Sequence, residues 1–141
     1  MSAKSVIFRA GIIPYMITGD VIKYMFMKPS DSTYGGPDWQ IAKGHIEKDD
    51  PDSMSAAVRE GMEELGLRES NISSIQELGS FLGRTNIFLC EVKDMNDFGD
   101  YHFETGGVIW LSAQQFHTMG RSLHRHIVDA AEKLLRTTIS N

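Results

Sequence analysis

Residues 44–67 read Gly44-His-Ile-Glu47-Lys-Asp-Asp50-Pro-Asp-Ser-Met-Ser-Ala-Ala-Val-Arg59-Glu60-Gly-Met-Glu63-Glu64-Leu-Gly66-Leu67. Pro51 to Leu65 is the clearest helix in the chain, because Met54, Val58, Gly61 and Leu65 recur at helical spacing on one face. Asp50 or Asp52 can cap its start, Pro51 suits the first turn, and Gly66 suits a left-handed stop. On such a helix Glu60, Glu63 and Glu64 cluster on one surface, opposite the apolar face. Carboxylates that close repel one another unless a cation neutralises them. Hard oxygen ligands in such a group suit Mg²⁺ or Mn²⁺, with water and a substrate phosphate completing the shell. By itself the cluster reads more readily as a solvated acidic face. Two neighbours argue for metal instead. Arg59, four residues before Glu63, can orient that carboxylate, and the loop opened by Gly44 can bring a backbone carbonyl to the same ion.

The stretch resembles the signature of the Nudix hydrolases: glycine, five residues, glutamate, seven residues, then Arg-Glu-aliphatic-x-Glu-Glu-x-Gly-aliphatic. Arg59-Glu60 and Glu63-Glu64-Leu65-Gly66-Leu67 match its second half at the required spacing, and Gly44 supplies the opening glycine. Gly44 to Arg59 is one residue longer than the family spacing. A one-residue insertion with Asp49 or Asp50 in place of the first glutamate accounts for this, and it bears on the geometry of the loop more than on chemistry. Gly61 takes an aliphatic position, where glycine costs about 1 kcal/mol relative to alanine but permits close approach of another element.

The resemblance implies an α-β-α sandwich, a mixed β-sheet flanked by helices. It also implies Mg²⁺, with Mn²⁺ a substitute, held by Glu60, Glu63, Glu64 and the carbonyl of Gly44, with Arg59 beside them. Glu104 matches the family's glutamate before a tryptophan-bearing strand and is the candidate general base, although a plain solvent-facing loop carboxylate explains it equally well. Ala42-Lys43-Gly44-His45 resembles the Pro-Lys-Gly-His segment of the diadenosine tetraphosphate hydrolases, which makes Lys43 and His45 candidates for the polyphosphate chain. Arg9 resembles strand arginines that touch substrate in some relatives. The substrate order implied is a dinucleoside polyphosphate first, then ADP-ribose, NADH or another sugar nucleotide, then a 5′-triphosphate RNA end. A Nudix-fold module that binds a nucleotide without cutting it is the alternative of another class. Such modules usually lose box glutamates, which are intact here.

Outward from the box, β-branched and aromatic residues predict strands over Ser5 to Ile17, Ile22 to Met27 and Trp39 to Ile46. A turn is expected at Thr18-Gly19-Asp20 and a loop over Pro29 to Asp38. Ile75 to Leu82, Asn86 to Val92 and Gly107 to Leu111 read as further strands. Ser112 to Thr118 reads as a short helix. Ser122 to Arg136 reads as a longer one with an apolar stripe of Leu123, Ile127, Ala130, Ala131 and Leu134, and its His124-Arg125-His126 as a solvated basic patch. This order predicts an α+β sandwich. Tyr34, Trp39, Phe81, Tyr101 and Phe103 are the aromatics available to a nucleobase, and core packing explains most of them equally well.

The 141 residues leave room for one compact domain, expected over residues 1–141. A net charge of −5 and the absence of a basic block disfavour long nucleic acid, leaving a small nucleotide as the expected partner. No run of apolar residues suffices to cross a bilayer, so no membrane partner is expected. The single cysteine, Cys90, excludes an internal disulfide and reads as buried; a cytoplasmic location is the default, and a homodimer stays open as an assembly.

Overall fold

The sheet is organised around one strand that changes partners midway. In the computed structural model, which describes residues 7–33 and 35–140, β1 runs Arg9–Thr18. The expected start at Ser5 lies outside the described residues, and Ile7 and Phe8 precede the strand. Gly19, at φ 63°, turns the chain into β2 (Val21–Pro29), which pairs antiparallel with the second half of β1, Tyr15 opposite Tyr24. The first half of β1 pairs instead with β3 (Ala42–His45), Arg9 opposite His45 and Ile12 opposite Ala42. Pro14, which has no N–H to donate, falls between the two pairings. Where β1 and β2 part, β3 enters the gap, and this places Lys43, Gly44 and His45.

Two further strands, β4 (Ile72–Phe81) and β5 (Thr85–Val92), form a hairpin whose second strand runs parallel to β1. β6 (Thr105–Leu111) borders β2, giving the order β4-β5-β1-β2-β6 with β3 on β1. Alternation along the strands sends side chains to opposite faces. Ile13, Tyr15, Tyr24, Phe26, Ile87 and Leu89 pack with Phe116 of α2 (Ala113–Met119) and with Ile127, Val128, Ala131 and Leu135 of α3 (Arg125–Ser140). Ala10, Ile12, Phe88 and Cys90 pack on the other face with Ala56 and Ala57 of α1 (Ser53–Leu65). The fold is therefore the expected sandwich, a six-stranded mixed sheet between helices. Cys90 is fully buried.

α1 is capped as its sequence implies. Of the two aspartates that could cap it, Asp52 does so, accepting a hydrogen bond from Ser55 N, and Gly66 ends the helix in the left-handed region at φ 74°. Its buried face differs from expectation. Met54 is exposed and Val58 only partly covered, whereas Ala56, Ala57, Glu60, Gly61 and Leu65 face inward. Small residues let the helix lie close on the sheet: a Cβ on Gly61 would stand 2.8 Å from Ile12 Cγ2 and 2.9 Å from Leu67 Cδ2. The closing helix is corrected likewise. A 3₁₀ turn over Ser122–His124 precedes α3 and shifts its phase, so Leu123 is exposed while His124 is fully buried rather than solvated.

Candidate active site

The loop between β3 and α1 is tied by charge. Asp50 accepts from Arg59 Nε at 3.1 Å and Nη2 at 2.9 Å, and from the N–H of Glu47 at 2.8 Å. Asp50, not Asp49, therefore holds the loop. Arg59 also donates to the carbonyl of His45 at 3.1 Å and pairs with Glu60 at 3.0 Å and Glu63 at 3.5 Å. Across from it, Gly44 lies directly against the buried carboxylate of Glu60; a Cβ there would stand 2.5 Å from Glu60 Cδ and closer still to its Oε2. Only glycine leaves that space, which sets the backbone of β3 beside a carboxylate.

Burial raises the pKa of Glu60, which shares a hydrogen bond with Glu64. Burial first, then the charge of Glu60, pushes Glu64 up to about 8, against the opposing pull of the Lys43 N–H and ammonium. Burial and their mutual charge thus make both acids harder to ionise than free carboxylates. The donors are all hard oxygens, and a divalent cation can neutralise the pair. Among the described residues no three acidic, imidazole or thiol groups already stand as a ligand shell, and Arg59 engages Glu60 and Glu63.

Beside this pair opens a cleft of about 520 Å³ that gathers Arg9, Lys43, His45, Glu64 and Glu104 in one space. Lys43 is partly buried, and its pKa is lowered by that burial and by the charges of Arg9 and Arg121. Glu104 stands on the exposed rim, its carboxylate 3.6 Å from His102 Nδ1. A metal-competent acid pair at one side of a cationic cleft is an arrangement suited to a phosphoanhydride. The NUDIX domain pattern matches residues 22–131.

The chain belongs to the NUDIX domain family. The activity that goes with membership is pyrophosphohydrolysis. A comparison with curated protein sequences gave no match. Among solved structures, the C. elegans Ap4A hydrolase in a binary complex superposes with a TM-score of 0.73 at 16% identity, over 94% of this chain and 99% of that one. The NUDIX domain of Shewanella oneidensis NrtR, complexed with ADP ribose, gives 0.70 at 13% identity, over 94% and 90%. RenU, a Nudix hydrolase from M. smegmatis, gives 0.66 at 13% identity, over 95% and 87%. These likenesses are likenesses of fold.

In this NUDIX chain the cleft also recruits residues that the sequence reading did not single out. Met27, Pro29 and Ile41 supply its apolar lining, and Gln40 and Arg121 its further polar groups. Arg121 comes from the connection between α2 and α3, far along the chain from the box, and no local pattern marks it. Of the described aromatic candidates, Trp39, Phe81, Tyr101 and Phe103, none lines the cleft: Trp39 lies under Lys28 at 5.0 Å, Phe81 against His126, and Phe103 is 80% exposed, while Tyr34 is outside the described residues. The segment 94–104 is fastened to the end of α1. Gly99 N donates to the Gly66 carbonyl, His102 N to that of Glu63, and Thr105 Oγ1 to that of Glu64. Buried Asn71 organises its first residues, donating to the carbonyls of Asp94 and Asp97 at 2.9 Å each. No helix of the described residues is long and apolar enough to cross a membrane.

Proposed function

We propose that the chain hydrolyses a phosphoanhydride bond in a dinucleoside polyphosphate. Glu60, Glu63, Glu64 and the Gly44 carbonyl would hold Mg²⁺, or Mn²⁺ in its place. When bound, the ion would polarise the anhydride and lower the pKa of an attacking water. The observation that carries the reading is the buried Glu60 carboxylate set against Gly44, one helical turn from Glu64, which lines a cleft shared with Arg9, Lys43 and His45. Arg59 fixes the directions of Glu60 and Glu63 while Asp50 fixes Arg59. Lys43 and Arg9 bind and orient phosphate oxygens, and His45 donates a hydrogen bond at the same end. Glu104, on the rim, accepts the proton of the water. Met27, Pro29 and Ile41 offer an apolar wall to a nucleobase.

The solved fold relatives named for Ap4A and ADP ribose make these the two substrates to compare. We place the action in the cytoplasm, in keeping with a buried, unpaired Cys90. The test is product analysis of wild type and Glu64→Gln with diadenosine tetraphosphate, ADP-ribose and NADH, with Mg²⁺ and with chelator. Cleavage of the tetraphosphate that needs Mg²⁺ and falls by roughly two orders of magnitude or more in the variant is expected. Turnover of ADP-ribose alone would replace the substrate. Tight nucleotide binding with no cleavage of any of the three would make the chain a binding module instead.

A further inference from the structure

Arg121 is held as firmly as a residue of a strand, yet no strand contains it. Its N–H donates to the Trp39 carbonyl at 2.7 Å, and its own carbonyl accepts from His124 N at 2.9 Å. On one side Gly120 bridges Trp39. On the other, His124 is buried and accepts the N–H of Ile41 through Nδ1 at 3.1 Å. The connection between α2 and α3 is thereby stitched to the segment leading into β3. The Arg121 side chain lines the cleft, where Gly35, at φ 99°, makes room for it: a Cβ on Gly35 would stand 3.1 Å from Arg121 Nη1 and 2.6 Å from Gln40 Oε1.

The charges around it do not balance. Arg9, Lys43 and Arg121 line one cleft against only the carboxylates of Glu64 and Glu104, and none of the three cations is ion-paired among the described residues. Cations gathered in a half-enclosed space repel one another, in a chain whose net charge is −5. Such a cluster is stabilised by an anion with several charges spread along its length. Lys43 lines the cleft with both Arg121 and Glu64 and feels the charge of each.

We propose that Arg121, with Gln40 beside it, is a subsite for the phosphates beyond the anhydride that is cut, and selects substrates with three or more phosphates over diphosphates. The inference rests on the phosphoanhydride reading of the same cleft and names its specificity determinant. A guanidinium meets two phosphate oxygens at once, which a lysine does not. In this proposal a diphosphate held at the glutamates ends short of it.

The experiment measures binding of inorganic tripolyphosphate by calorimetry with chelator present, so that no metal at the glutamates contributes, to wild type, Arg121→Gln, Arg121→Lys and Lys133→Gln. Lys133 is exposed on α3, and its variant removes the same charge elsewhere. Arg121→Gln is expected to weaken binding roughly tenfold to a hundredfold, the loss of one charge-assisted hydrogen-bonding group. Arg121→Lys should recover part of it, and Lys133→Gln should leave it within about twofold, as screening of a distant surface charge implies. In turnover, Arg121→Gln should lower kcat/KM for diadenosine tetraphosphate at least tenfold more than for ADP-ribose. Equal losses in Arg121→Gln and Lys133→Gln, or no binding of tripolyphosphate to wild type, would overturn the subsite. Binding that depends on Arg121 in a protein that cuts no polyphosphate would keep the subsite and remove the substrate assignment. Unchanged thermal midpoints exclude misfolding as the cause.

Discussion

His124 shows how one residue ties the cleft to stability. Its ring is fully buried, and Nδ1 accepts the Ile41 N–H, so the neutral ring carries its proton on Nε2. Burial, followed by the charges of Lys43, Arg121 and His126, lowers its pKa to about 3. An unfolded histidine titrates near 6.5. The unfolded state therefore takes up a proton between these values that the folded state refuses. Stability is full above pH 6.5 and is lost as pH falls toward 3, by up to about 1.4 kcal/mol per pH unit. Urea unfolding at pH 7.5 and 5.5 tests this. The difference between the two pH values should shrink by about 1 kcal/mol in His124→Asn, whose Oδ1 can still accept from Ile41. An unchanged difference would show that another group carries the acid sensitivity. Sequence concealed this residue for a simple reason. Three successive basic residues alternate around a helix, and only the 3₁₀ turn that delays α3 sends the first of them inward.

Among the elements, α1 is where reading by periodicity was half right. The nearness of Glu60, Glu63 and Glu64 to one another was legible because helical spacing is local, and the caps were legible because turns have their own chemistry. Glu60, however, faces inward with Gly61 and Leu65 rather than opposite them. The buried face was not legible, because Met54 and Val58 outweigh Ala56, Ala57 and Gly61 in hydropathy. The sheet selects for small volume here rather than for apolarity. Gly61 turns that into a measurable sign. Helix propensity predicts that Gly61→Ala stabilises by about 1 kcal/mol. The added methyl meets Ile12 and Leu67 inside a filled core, and overpacking costs about 1–3 kcal/mol. The expected result is a lower urea midpoint for Gly61→Ala; a higher one would mean that α1 can slide outward. The cleft itself was legible only in part. Lys43 and His45 stand within the signature and Arg9 on the strand beside it, but Arg121 and Gln40 reach the same space through contacts between segments some eighty positions apart in the chain.

At the scale of the whole molecule, two hydrophobic layers share one sheet, and β1 and β5 contribute to both. Each layer has its own tryptophan: Trp39 packs against the layer of α2 and α3, Trp110 against that of α1. If the shared strands make the layers one cooperative unit, single-tryptophan variants Trp39→Phe and Trp110→Phe should report fluorescence transitions with the same slope, each coinciding with the circular-dichroism transition of the same variant. A tryptophan transition displaced from its own circular-dichroism curve would mean that one layer melts before the other. The expected coincidence also bears on function, because the cleft draws its walls from both segments that this sheet joins.

The knot between Asp50 and Arg59 has a consequence for how such chains are spelled. Aspartate is one methylene shorter than the glutamate that the signature asks for, and one extra residue separates Gly44 from Arg59. Each added residue lengthens the tether by at most about 3.8 Å between Cα atoms. Asp50 nevertheless accepts from two nitrogens of the guanidinium, Nε at 3.1 Å and Nη2 at 2.9 Å. What this corner keeps constant is the reach from anchor to cation, and it can be met by a long arm on a short rope or a short arm on a longer one. A chain that has made the second choice departs from the letter count of the signature while keeping the fold, as this one does.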